Sequence, residues 1–215
     1  MNWHVVIDAR SMLIGGALVT LELSALAIVL GTTVGLLVAL ARSARVALVS
    51  QVLRVYIEIF RGAPLLMQLF FVYFGLPYLG VEVSKLAAAV TALTLYSGAY
   101  IAEIIRAGIE SVPKGQREAA HSLGLSSFEV MRYVILPQTL TVALPPLIGF
   151  YIGLIKDTSL ATIIGYGELM RESQAIIDRT ARPLEVYIAV ALIYFAICYP
   201  LSRLVIRLER RVPAR

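Results

Sequence analysis

The sequence predicts an all-α integral membrane domain of five transmembrane helices, with the N-terminus outside and the C-terminus in the cytoplasm. Three observations carry that expectation. Of the 215 residues, 59% are hydrophobic and only 15% are charged, whereas a soluble domain carries about a quarter charged. The apolar residues gather into five charge-free stretches, and the basic residues gather between those stretches with a bias to one side.

The stretches are Leu23–Ala41, Gly62–Gly80, Leu86–Ala102, Tyr133–Ile155 and Val186–Ser202. Each is about 17 to 23 residues, the length that crosses roughly 30 Å of hydrocarbon at 1.5 Å per residue. Backbone amides in lipid must pair within their own segment, so runs of this length are helices. The helices extend past the charge-free limits, to roughly 12–41, 53–79, 84–108, 133–156 and 184–206 of a single domain, 1–215. The first begins near Ser11. No basic region followed by a short apolar core and cleavage site opens the chain, so no cleaved signal is expected.

Orientation follows from Lys and Arg. Arg42, Arg45 and Arg54 follow the first span. Lys114, Arg117 and Arg132 follow the third. Arg203, Arg207, Arg210, Arg211 and Arg215 follow the fifth. The other side holds Arg10, Lys85 and a loop in which Arg171, Arg179 and Arg182 are balanced by Glu168, Glu172 and Asp178. The positive-inside bias places the richer side in the cytoplasm. The same distribution explains the net charge of +5 without nucleic acid. Cys198 is the only cysteine, and His4 and His121 are the only histidines, so nothing has metal-ligand spacing.

Two connections are too long for tight turns: a cytoplasmic one from about Arg106 to Arg132 and an outer one from about Lys156 to Pro183. In the first, at 111–129, Gln116–Leu123 reads as a short helix, with Glu118, Ala119 and Ala120 favouring it and Gly124 ending it in a left-handed cap. Ser127 is expected to cap a second helix from Phe128, and Pro137 to break or kink it. Ala119 and Ala120 keep the surface of the first helix low, so that another protein can approach. Read from residues alone, a solvated connector with an ordinary glycine cap is the favoured reading of the segment.

Polar residues within spans mark interior or wet faces. Glu58 and Arg61, three apart, are expected to pair, either pinning a hinge near the inner gate, with Gly62 and Pro64 loosening the helix beside them, or anchoring the helix end at the interface. Glu103 and Arg106 repeat that spacing as an anchor. Glu22 either meets a solute or pairs with Lys156 or another helix. Gln68 bonds a neighbouring helix or a solute. Gly31 and Gly35 signal close helix packing. Lys156, Asp157, Thr158 and Ser159 end the fourth span and restart a short helix.

Glu118-Ala119-Ala120, then Gly124, then Leu136-Pro137 resembles the EAA motif of ABC importer permeases, with Val134 where the pattern has Ile. The segments Tyr56–Phe70, Tyr100–Ile109, Val112–Gln116, Ala143–Pro146 and Lys156–Leu160 resemble, more narrowly, the polar amino acid permeases. The resemblance implies a type I ABC importer permease fold. It implies that Glu118, Ala119, Ala120, His121 and Gly124 form a coupling helix docked in an ATP-binding subunit. It also implies partners: ATPase subunits that hold ATP and Mg, an extracytoplasmic amino-acid-binding protein, and a second permease copy, identical or different. This chain would hold no cofactor and catalyse nothing. It has no GxxxxGK[ST] phosphate loop. The substrate path or gate would run past Glu22, Glu58, Arg61, Gln68, Phe150, Tyr151 and the 156–159 segment. Many relatives carry an Asn-Glu or similar polar pair where this chain has Gly149 and Phe150, so no carboxylate awaits a cationic substrate there. The competing readings are a stand-alone secondary transporter or channel, which needs no docking segment, and an intramembrane enzyme, for which no nucleophile, metal or paired-acid arrangement is present.

Overall fold

The structure, a computed structural model, describes residues 3–43 and 46–209. Arg45, Arg210, Arg211 and Arg215, which entered the charge-bias expectation, lie outside the described residues. The described residues are largely helical through their apolar stretches. A short α1 (His4–Asp8) precedes α2 (Arg10–Ser43). Then come α3 (Ala47–Gly62), α4 (Leu65–Phe70), α5 (Lys85–Ser111), α6 (Lys114–Ser122), α7 (Ser127–Glu129), α8 (Leu136–Asp157), α9 (Leu169–Thr180) and α10 (Pro183–Glu209).

Four helical runs are long and apolar enough to cross a membrane by themselves: Arg10–Ser43, Lys85–Ser111, Ser127–Ile164 and Pro183–Glu209. The expected second span is broken instead of continuous. Ala47–Gly62 and Leu65–Leu79 meet at 106°. Pro64 supplies no amide and forces Ala63 into an extended conformation, φ −91° and ψ 140°, so the hydrogen-bond ladder stops there. Beyond the break, α4 widens into a π turn over Phe71–Gly75 and tightens into a 3₁₀ turn over Leu76–Leu79. Counted as one broken span, the pair brings the number of crossings to five.

The fourth span is irregular where Pro137 was expected to break or kink it, but it is not broken. The helix widens to a π turn over Val130–Ile135 just before that proline and continues as α8. The wider turn falls where the carbonyl four residues before Pro137 would otherwise face a missing amide. Pro145 and Pro146 lie inside α8 as well. The outer connection is mostly helical, with a 3₁₀ turn over Thr158–Ile164 followed by α9.

The spine of the fold is α2 against α5. Gly31 and Gly35 of α2 meet Ser97, Gly98 and Ile101 of α5, and Ala88, Ala89, Ala92, Ala99 and Ala102 continue the small-residue face. Small side chains let two backbones approach in lipid, where association relies on close packing. A Cβ added at Gly31 would stand 1.9 Å from Ser97 Oγ and 2.9 Å from Ser97 Cβ. Gly31→Ala is therefore expected to cost about 1–3 kcal/mol of stability. Gly15→Ala, whose Cβ meets nothing within 4 Å, is expected to cost far less. Thermal aggregation midpoints in detergent would distinguish the two.

Large apolar side chains cover the outside of the bundle. Leu18, Val29, Leu37, Leu192 and Phe195 are each more than half exposed. An apolar exterior at this density suits lipid as solvent. A second core joins α9 to the spans, through Leu13 of α2, Leu169 and Ile176 of α9, and Val186, Ala189 and Val190 of α10.

Candidate functional site

The charged connection folds into an elbow. α6 is amphipathic, and Ala120 is its inward anchor, packed with Val112, Val130 and Ile135. Glu118, Ala119, His121 and Gly124 face outward. Of the two alanines expected to lower the surface, only Ala119 does so; Ala120 holds the elbow to the body. Gly124 ends the helix in the left-handed conformation expected of it, φ +82°. His121 Nδ1 lies 3.1 Å from the carbonyl oxygen of Leu125, which closes the turn. The cap of the next helix is Ser126, one residue earlier than expected. Its hydroxyl accepts the amide of Glu129, and Glu129 accepts the amide of Ser126 in return. Leu123 and Phe128 flank the turn and are among the most exposed apolar side chains of the chain, at 81% and 70%. The sequence reading passed over both. The signal was two large apolar residues either side of a glycine cap in a charged loop.

Directly behind the elbow lies an ion cluster. Glu103 of α5 accepts Arg42 of α2 at 2.6 Å and Arg106 at 2.9 Å, and Arg61 of α3 approaches at 3.7 Å. Arg106 also pairs with Glu110. The expected Glu103–Arg106 pair is present. The expected Glu58–Arg61 pair is not: Arg61 turns to the better-shielded Glu103, and Glu58 instead borders a polar cleft with Arg42, Ser50, Gln51 and Arg54. Arg42, Arg106, Arg117 and Met131 together line a cavity of about 270 Å³. The ion cluster and the elbow thus share one space.

Above the cluster is a patch of aromatic rings. Arg61 lies over the Tyr100 ring, 5.1 Å from its centroid. Tyr100 stacks on Phe150 at 5.3 Å and 15°, and Tyr96 touches both rings. Tyr151 follows Phe150 edge-on, and its hydroxyl is hydrogen-bonded to Thr32 at 2.8 Å. Phe150, Tyr151 and Arg61, far apart in sequence, are thereby brought together. Tyr96 and Tyr100 join them and were not anticipated.

The remaining candidates stand apart from this patch. Gln68 is buried and donates to the carbonyls of Phe60 and Ala63, both at 2.9 Å, so it ties the broken ends of α3 and α4 together. Its Oε1 is buried with no partner among the described residues. Glu22 is exposed, with no ion pair to Lys156. Lys156 is exposed at the end of α8 and Asp157 is half-buried. Thr158 is buried, its hydroxyl donating to the Ile155 carbonyl at 2.7 Å. Ser159 is half-buried in the 3₁₀ turn.

Residues 31–213 match the family described as binding-protein-dependent transport system inner membrane component. Among curated proteins, the chain is 45% identical over 197 residues to "Probable amino-acid ABC transporter permease protein YckA" of Bacillus subtilis (strain 168), covering 92% of this chain and 87% of that one. It is 44% identical over 213 residues to "Glutamine transport system permease protein GlnP" of Escherichia coli (strain K12), covering 98% and 97%. Among solved structures it is similar to a chain of "Crystal structure of an amino acid ABC transporter with histidines", with a TM-score of 0.93, 39% identity and 99% of each chain covered. The family model spans most of the chain and these relatives cover more than nine-tenths of it, so the chain belongs to the binding-protein-dependent transport system inner membrane component family, as an amino-acid ABC transporter permease.

Proposed function

We propose that this chain is one half of the membrane pathway of a bacterial inner-membrane importer for a polar, uncharged amino acid. Five crossings, with α3 to Leu79 counted as one broken span, put the N-terminus outside and the C-terminus in the cytoplasm. α6 and the Gly124 turn dock in an ATP-binding subunit, which supplies ATP and Mg. A second permease copy closes the pathway, and an extracytoplasmic binding protein delivers the amino acid to the face that carries α9. The single observation that carries this reading is the elbow: Leu123, Gly124 and Phe128 are held out from the body by a buried Ala120 and a capped turn, with nothing among the described residues to cover them. Apolar side chains presented in this way suit insertion into a partner's cleft.

The uncharged substrate class follows from the aromatic patch. Phe150 and Tyr151 present rings and a hydroxyl where a carboxylate would be needed for a cationic side chain, and Arg61 is already engaged by Glu103 and Tyr100. Phe150→Ala is expected to change the transport rate several-fold, because it removes the ring on which Tyr100 stacks, without changing the preferred amino acid. Competition uptake with a panel of amino acids would check this, and a clean change of preference would contradict it.

The test of function is reconstitution. The chain with its ATPase, its second permease and its binding protein should accumulate amino acid in proteoliposomes only when ATP is supplied on the α6 side. Uptake by the chain alone, without nucleotide, would establish the secondary-transporter reading instead.

A further inference from the structure

α3 carries three faces, and one of them is covered. Leu53, Tyr56, Ile57 and Phe60 pack inward against Val34 and Val38 of α2 and Ala99 and Ala102 of α5. Leu48, Val52, Val55 and Ile59, recurring every three or four residues, form an exposed apolar stripe. Gln51, Arg54 and Glu58 form an exposed polar stripe beside it. Hydrocarbon suits the first stripe and water the second. A helix that exposes both side by side belongs where lipid headgroups meet acyl chains.

Two hollows open on these stripes. Near the start of α3, Arg42, Ser50, Gln51, Arg54 and Glu58 line the polar cleft, whose volume is about 620 Å³. At its end, across the 106° bend, Ile59, Met67, Phe71, Phe74 and Leu95 line an apolar groove of about 830 Å³. Only Gln68, Tyr78 and Thr91 bring polar side chains to the groove wall, and Gln68 spends its amide nitrogen on the carbonyls of Phe60 and Ala63. Val55 borders the cleft and Ile59 the groove. They stand one turn, about 6 Å, apart on the same exposed stripe. The groove wall continues as far as Tyr78, which gives it roughly 20 Å of helix beyond the bend. That is enough for an acyl chain from one half of a hydrocarbon core about 30 Å thick. Cleft and groove are thus the polar and apolar ends of one continuous path.

The cleft carries both signs of charge. Arg54 and Glu58 lie one turn apart, yet neither is in an ion pair among the described residues. Arg42 gives its Nη1 to Glu103 and has N–H donors left over. Two guanidinium groups suit a phosphate, held by charge-assisted hydrogen bonds. The carboxylate beside them suits an ammonium group. A purely anionic head would meet Glu58 unfavourably, whereas phosphoethanolamine brings both charges together. A small free zwitterion would leave the stripe and the groove unused.

We propose that cleft and groove are one binding site for a phosphatidylethanolamine molecule. Its phosphate lies on Arg54 and Arg42, its ammonium on Glu58, and one acyl chain runs over Val55 and Ile59 into the groove. The cleft makes the choice of lipid, because an acyl chain gains little by leaving other chains for an apolar wall. Which leaflet supplies the lipid rests on the topology proposed above; the site itself rests on the surface of this chain.

The experiment is native mass spectrometry of the assembled transporter, stripped of lipid in detergent and titrated with dioleoyl phosphatidylethanolamine or dioleoyl phosphatidylglycerol. The wild type should hold the first about tenfold more tightly, the size of one charge-assisted hydrogen bond. Glu58→Gln should erase that preference. Arg54→Gln should weaken both lipids about tenfold. Met67→Trp, which fills the groove, should weaken both several-fold without changing their order. Leu37→Trp, at a similarly exposed position of α2, should change neither. Arg54, Glu58 and Met67 are all exposed, so their replacement leaves the core intact. A wild type without preference, or a preference that survives Glu58→Gln, would overturn the assignment. So would loss of the permease pair in Met67→Trp while both lipids stay bound, which would give the groove to the second copy. Both faces are open in detergent, so the outcome is independent of orientation and of whether the reconstituted importer accumulates amino acid.

Discussion

Replacing Gly124 with aspartate should leave the chain inserted and folded but abolish substrate-stimulated ATP hydrolysis by the assembled transporter. Within this chain the substitution meets nothing: a Cβ at Gly124 has no heavy atom within 4 Å. The cost to the fold is confined to φ +82° and amounts to roughly 1 kcal/mol, since Asp and Asn are the side chains that best tolerate the left-handed region. Any larger loss must arise where the residue meets a partner. A carboxylate left unpaired in a protein interface costs on the order of 3 kcal/mol, which is about a hundredfold in docking affinity. Gly124→Asn separates the two effects, because it carries the same backbone strain with no charge. Normal expression and thermal stability for both variants, near-normal stimulated ATPase for Asn and its loss for Asp would place the partner at this turn. Full stimulation with Asp would remove Gly124 from the interface and, with it, the elbow as the route of coupling.

The spans, the elbow and the glycine that ends α6 were legible because each is a local property. Length, hydropathy and a cap residue are written within one segment. The 106° bend was legible only as a weakness. Gly62 and Pro64 mark where the ladder fails, but the direction of the chain beyond it depends on Gln68 reaching back to Phe60 and Ala63. Pro137 marked the place of an irregularity but not its form. A proline names a missing hydrogen bond, and the helix had a second remedy, the π turn before it. The Glu58–Arg61 pair failed because spacing licenses a contact without ranking it against others. Arg61 had a better-shielded acceptor in Glu103, on a helix that sequence could not place beside it. The aromatic patch was half visible. Phe150, with Tyr151 after it, stood out because Gly149 and Phe150 depart from a resembling pattern, whereas Tyr96 and Tyr100 became neighbours only through the packing of α5 on α8.

Glu103 is the residue whose removal should damage the fold most. It is the common acceptor for Arg42, Arg61 and Arg106, and so joins the ends of α2, α3 and α5 behind the elbow. Its side chain and that of Arg42 are 17% and 18% exposed, whereas Arg61 and Arg106 are 42% and 38% exposed and better screened. Glu103→Ala leaves three guanidinium groups crowded without their acceptor. The loss should be on the order of 3 kcal/mol, most of it from the shielded Arg42 and little from the two exposed partners. Thermal denaturation of the purified chain would measure it, and the second substitution Arg42→Gln should restore part of it, because the repulsion and the orphaned charge leave together. If Glu103→Ala and the double variant were equally unstable, the acid would be acting as a helix anchor by itself. Because Arg42 and Arg106 share their cavity with Arg117 and Met131, the same variant should also weaken stimulated ATP hydrolysis in those molecules that remain folded. On the proposed docking of α6, force entering there reaches the ends of three spans only if those ends are tied together, and Glu103 is the acceptor that ties them.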